Sequence, residues 1–191
     1  MRPVLVGGAV AALLVVAAPR AGAAFPYCRA ITDPAQDAGV SGYADDGHAD
    51  LRAVEVVVAD RTMVVVFHAT RLDQRRATRW QFLFTTKGRD ATVEADVRGL
   101  RGGSAFRVSI ADGPTTPVTG AVDYAASTVV VSIPIDVFGS ARPVRGTVLS
   151  GFSAKSYDLL GLTVPLNGDA VVVEEDSGAS RATYRAGSVC P

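Results

Sequence analysis

Two cysteines, two histidines, two methionines and one tryptophan in 191 residues leave little for redox, metal or nucleophile chemistry. His48 and His68 are the whole imidazole complement, and two distant histidines fall short of the three or four protein ligands that zinc takes. No Gly-x-Ser-x-Gly stretch occurs, which removes the strained nucleophile elbow of an α/β-hydrolase. Charge of one sign is missing too, because nineteen basic residues balance nineteen acidic ones. A nucleic-acid binder shows a net basic face, so no nucleic acid is expected as partner.

Only one long apolar run is present. Residues 4–18 carry no charge, follow Arg2 and give way to Pro19-Arg20-Ala21-Gly22-Ala23-Ala24. A short charged start, a medium apolar core and small exit residues describe a cleaved secretory signal, and the run is shorter than the roughly 20 residues of a spanning helix. Residues 1–24 are therefore expected to be removed, leaving 25–191 as one secreted domain with its own core and no membrane span. Export decides the cysteine reading. Cys28 and Cys190 stand at the two ends of the mature chain, in a compartment where disulfides persist. Pairing of the two is expected, with free thiols or an intermolecular bridge as the alternatives.

Helical periodicity is scarce as well. Apolar residues recur at period two in short runs separated by Gly, Pro, Asp and Ser. Residues 51–58 and 62–69 read as a hairpin about Ala59-Asp60-Arg61. Trp80, Phe82 and Phe84 then alternate with Arg79, Gln81 and Leu83, and Val93, Ala95 and Val97 alternate with Glu94 and Asp96. Phe106, Val108 and Ile110 follow, then a second hairpin over 118–124 and 128–133 that ends at Pro134, which cannot donate to a ladder. Residues 147–154, 170–174 and 182–185 complete the set, with helical turns expected at 135–139 and 156–162. The prediction is an all-β, two-sheet antiparallel β-sandwich of about eight or nine strands, jelly-roll-like or Greek key.

Asp33-Pro34-Ala35-Gln36-Asp37-Ala38, the Asp50-Leu51 strand entry, the first hairpin and "VDYAASTVVVSIPIDVFG" together resemble the DOMON-like sandwiches, which include the family 9 carbohydrate-binding modules. The closing Tyr184-Arg185-Ala186-Gly187-Ser188-Val189-Cys190 resembles the end of small domains in secreted actinobacterial proteins. The resemblance implies a sandwich fold and an accessory, ligand-holding role. Some members hold haem through a methionine and a histidine, but Met63 and His68 are five apart on one expected strand and so face opposite sides. Trp80 alternates with the core-facing phenylalanines, which leaves no exposed tryptophan for a sugar.

Two clusters remain. Asp33, Asp37, Asp46 and Asp50, with Asp45 between them, carry the oxygen chemistry of a Ca²⁺ site, although the spacing is not that of an EF-hand. The plainer reading, and the one expected first, is that Asp33 and Asp37 cap turns while Asp45, Asp46 and Asp50 are solvated, with the cation as its alternative. Arg71, Arg75, Arg76 and Arg79 are by default a solvated loop that Asp73 and the nearby acidic strands can neutralise, and form a second candidate site, for an acidic polymer or phosphate. The function expected is a secreted, non-catalytic binding or accessory domain, with Ca²⁺ as the candidate cofactor and a cell-surface polymer, glycan or protein as partner. A hydrolase using carboxylates of the 33–50 loop and a purely structural envelope protein are the alternatives.

Overall fold

The computed structural model describes residues 27–33, 50–98, 102–111, 113–158 and 173–188. The apolar leader, Asp37, Asp45, Asp46 and Cys190 lie outside the described residues. Among the described residues there are eleven strands: β1 Cys28–Thr32, β2 Leu51–Val58, β3 Thr62–Ala69, β4 Thr78–Thr86, β5 Arg89–Val97, β6 Ser104–Ile110, β7 Thr116–Asp123, β8 Thr128–Pro134, β9 Val148–Asp158, β10 Val173–Ser180 and β11 Tyr184–Arg185. One 3₁₀ segment, Ile135–Ala141, follows β8.

Period-two patterning carries the fold into the core. Inward and outward positions alternate along β4 without a break, and Trp80, Phe82 and Phe84 are each at most 1% exposed. Phe82 stacks on Phe84 and on Phe152 of β9, with ring centroids 5.4 and 5.6 Å apart. Phe84 in turn meets Phe138 of the 3₁₀ segment, and Trp80 meets Phe67 of β3. The buried Trp80 Nε1–H donates to Thr78 Oγ1 at 2.9 Å, so the ring buries its area without stranding its one donor.

All pairings are antiparallel, and one hydrogen-bonded path runs β1-β2-β3-β8-β7-β6-β5-β4-β9-β10, with β11 added on β9. This single sheet is nearly closed into a barrel, where the sequence suggests two separate sheets of eight or nine strands. The physical reason lies in β7. Thr116, Pro117 and Val118 pair with β6, whereas Thr119 to Asp123 pair with β8, so one strand serves both halves of the wall. Gly120 permits the crossing, because a Cβ there would sit 2.6 Å from the Phe106 ring. At the other seam, Gly178 of β10 lies against β1, where a Cβ would stand 2.9 Å from Ile31 Cγ2. β1 and β10, the two ends of the hydrogen-bonded path, thus meet side by side. The helical turn expected at 135–139 is the 3₁₀ segment, whereas Ser156 continues β9 rather than starting a second turn.

Antiparallel order sorts the connections to two ends. The Asp50 end carries the start of β2, residues 70–77 and the β7–β8 turn. The opposite, Arg145 end carries Ala59-Asp60-Arg61, Lys87-Gly88, residues 135–147 and the chain after β11. Tyr184 fastens this end, since it is 1% exposed and its hydroxyl accepts the Val58 N–H at 3.2 Å. Replacing Tyr184 by Phe keeps the ring and leaves that buried N–H unpaired, so urea unfolding should show a loss of about 1–2 kcal/mol. An unchanged midpoint would mean that the bond contributes nothing.

Candidate functional site

At the Asp50 end the fold brings together described members of both sequence-level clusters. Asp50 is fully buried rather than solvated. Its carbonyl accepts the Thr70 N–H at 2.9 Å and its Oδ2 accepts the Thr70 hydroxyl, so it clamps the entry of β2 to the residue just before Arg71. Asp33 is 8% exposed at the exit of β1, and its N–H donates to the Arg52 carbonyl at 3.0 Å. Both aspartates therefore stand at the roots of the 34–49 segment, which holds Asp37 and Asp46 and is not described. Among the described residues no three His, Cys, Asp or Glu side chains come together as a metal site.

The arginine candidates separate into two groups. Asp73 shapes the loop that carries Arg71, Arg75 and Arg76, its Oδ1 accepting the Arg75 N–H at 2.8 Å. Arg71 and Arg75 are exposed, and the buried Leu72 holds the loop to the core. Arg79 does not join them, because it lies on the outward row of β4 over β5. Its Nε donates to Asp96 Oδ1 at 2.7 Å and its Nη2 to Asp96 Oδ2 at 3.3 Å. Arg107 of β6 closes on the same carboxylate at 2.5 Å and also binds Glu94, while Gln81 links Glu94 to the Tyr157 hydroxyl. Two guanidiniums thus face two carboxylates in a ladder that neutralises itself.

Asp96, 2% exposed, shows how that ladder works. Burial alone would lift its carboxyl, but the hydrogen bonds and charges of Arg79 and then Arg107 outweigh it and hold the group below its ordinary value. The Asp96 bond likewise raises the Arg79 guanidinium, against its own burial. On the outer face of β1 to β3, Glu55 stands between Arg29 at 3.3 Å and His68 Nε2 at 3.2 Å. Met63 is buried inside the barrel, so it and His68 do face opposite sides.

The Arg145 end holds a site that sequence reading misses. A cleft of about 670 Å³ opens between the β2–β3 turn, the 3₁₀ segment and the chain after β11, with Asp60, Arg61, Asp136, Arg142 and Arg145 among its walls. A neighbouring groove of about 630 Å³ shares Arg145 and adds Lys87 and Val148. Arg142 is matched by Asp136 at 3.0 Å, but Arg61, Lys87 and Arg145 form no ion pair among the described residues.

Arg145 is presented by a built turn rather than a loose loop. Thr147 N–H donates to the Val144 carbonyl at 2.8 Å, and Val144 N–H donates to Thr147 Oγ1 at 3.0 Å. Gly146 N–H and the Ala186 carbonyl, then Ala186 N–H and the Thr147 carbonyl, lace this turn to the C-terminal strand at 2.8 Å each. Gly187, at φ +77, clears room for the Arg145 stem, which would lie 3.0 Å from a Cβ there. The signal in the sequence is Arg142-Pro143-Val144-Arg145-Gly146, two cations bracketing a turn.

Against family models, curated proteins and solved structures, the chain shows no match. Geometry alone therefore has to carry the functional reading.

The Asp96 ladder yields a pH prediction. A carboxyl held below its unfolded value adds stability that is present above that value and lost as pH falls through the folded one. Asp96→Asn should lower stability at neutral pH by about 2 kcal/mol and flatten the acid side of the stability curve below about pH 4. Urea unfolding across pH would refute this if wild type and variant ran parallel.

Proposed function

We propose that this chain is an exported, non-catalytic binding domain whose ligand belongs to the cell surface and is held at the Arg145 cleft. The observation that carries the reading is the turn that fixes Arg145 beside Arg61, with both guanidiniums unpaired among the described residues. The half-buried cations on the outer wall of β4 to β6, Arg79 and Arg107, are neutralised by Asp96 and Glu94. Cations fixed in a concave site without a partner are instead suited to taking a ligand. Export rests on the apolar leader, and among the described residues no helix is long and apolar enough to cross a membrane.

The proposal includes a bridge between Cys28 and Cys190. Cys28 pairs with Val56, two residues from the Val58 N–H that Tyr184 accepts, so β1 begins close to where the C-terminal strand is fastened. It also keeps Ca²⁺ as the candidate ligand of Asp33 and Asp50 with Asp37 and Asp46, and Arg71, Arg75 and Arg76 as a second, polymer-facing loop. Thermal unfolding tests both structural elements together. The midpoint should fall on reduction and rise with millimolar Ca²⁺ over EDTA. The calcium rise should vanish in Asp37→Ala, and a midpoint indifferent to Ca²⁺ would remove the cation.

The binding reading is tested by sedimentation of the oxidised, exported protein with isolated cell envelopes. The expected result is retention that Arg145→Glu weakens about tenfold, a loss of about 1.4 kcal/mol, while Arg75→Glu at the other end changes little. Release of soluble fragments from the envelope polymer would favour the hydrolase instead. Absence of retention would overturn the binding reading.

A further inference from the structure

The Arg145 end collects apolar exposure as well as charge. Three large hydrophobic side chains are exposed among the described residues: Tyr27 at 45%, Val144 at 39% and Val148 at 43%. Val144 lines the cleft and Val148 the neighbouring groove. Tyr27 immediately precedes Cys28, whose partner is Val56, so it leaves β1 towards the Val58 end. All three therefore share the end that carries Arg61, Lys87 and Arg145.

Charge at that end is lopsided. The two grooves are lined by Arg61, Lys87, Arg142 and Arg145 against Asp60 and Asp136, and Asp136 is already matched by Arg142. The chain as a whole is balanced, so this excess is local. A soluble polyanion would use the cations and leave the valines and tyrosine in water. A lipid interface uses both, since phosphates take the guanidiniums while apolar side chains enter the acyl boundary.

We propose that the Arg145 end of the barrel docks on an anionic lipid surface, with Arg61, Lys87 and Arg145 on headgroup phosphates and Tyr27, Val144 and Val148 at the acyl boundary. The proposal rests on the binding reading above and names its ligand. Docking through long cationic stems and short apolar side chains is shallow and reversible, and it weakens as salt screens the phosphates.

The test is co-sedimentation of the exported chain, free of residues 1–24, with phosphatidylglycerol–phosphatidylcholine vesicles and with phosphatidylcholine vesicles alone. Binding should favour the anionic vesicles at least about tenfold and fall sharply in about 0.5 M salt. Arg61→Glu with Arg145→Glu should abolish the preference. Val144→Asp with Val148→Asp should weaken binding although every cation is kept. Because all four side chains are at the surface, an unchanged thermal midpoint shows that these variants fold. Vesicle binding untouched by either pair would overturn the proposal. Binding of soluble polyphosphate with the same arginine dependence, and none to vesicles, would overturn the lipid assignment while leaving the binding reading intact. Failure with vesicles, polyphosphate and envelopes alike would bring down both.

Discussion

Burial of the inward row of β4 is the constraint on which the barrel depends. Trp80, Phe82 and Phe84 leave water together, each contributing about 2–3 kcal/mol of transfer free energy. They do so from a strand that pairs along its length with β5 on one side and β9 on the other. Phe67, Phe152 and Phe138 complete the cluster from β3, β9 and the 3₁₀ segment, so the aromatic core ties four separate stretches of chain to one place. A one-residue slip of β4 would turn all three rings outward, and register is accordingly specified by the core itself.

Around that core the molecule handles charge in two ways. On the outer wall carboxylates and guanidiniums are matched to each other, and Asp96 remains ionised in near-complete burial because two arginines close on it. Asp50, equally buried, is held instead by the hydroxyl and backbone of Thr70. At the Arg145 end Arg142 is matched by Asp136, whereas Arg61 and Arg145 stand on hydrogen-bonded turns and form no ion pair among the described residues. Rigid backbone with uncommitted charge is the property that separates a candidate site from a structural ladder.

The strands were legible because a half-buried strand writes its two faces into alternate residues. The β2–β3 and β7–β8 hairpins fall where the alternation and turn residues put them. Closure was not legible, because nothing in the period-two pattern of β7 says that its first three residues pair on one side and the rest on the other. β1 was hidden by its shortness. Arg79 shows the same limit at a single side chain. In sequence it neighbours Arg75 and Arg76, but its position on the outward row of β4 delivers it to Asp96 on the adjacent strand.

Sequence by itself determined that the chain is all-β, which residues face inward, and that cations and anions are equal in number, because alternation and composition are local or additive properties. Tertiary structure alone decided that the sheet runs as one nearly closed wall. It also decided that Asp50 is buried beside Thr70, and that Arg61, Lys87 and Arg145 meet at one end with Tyr27, Val144 and Val148. Those outcomes depend on which distant strands become neighbours, and strand order is set by the packing of the whole core rather than by any stretch of it.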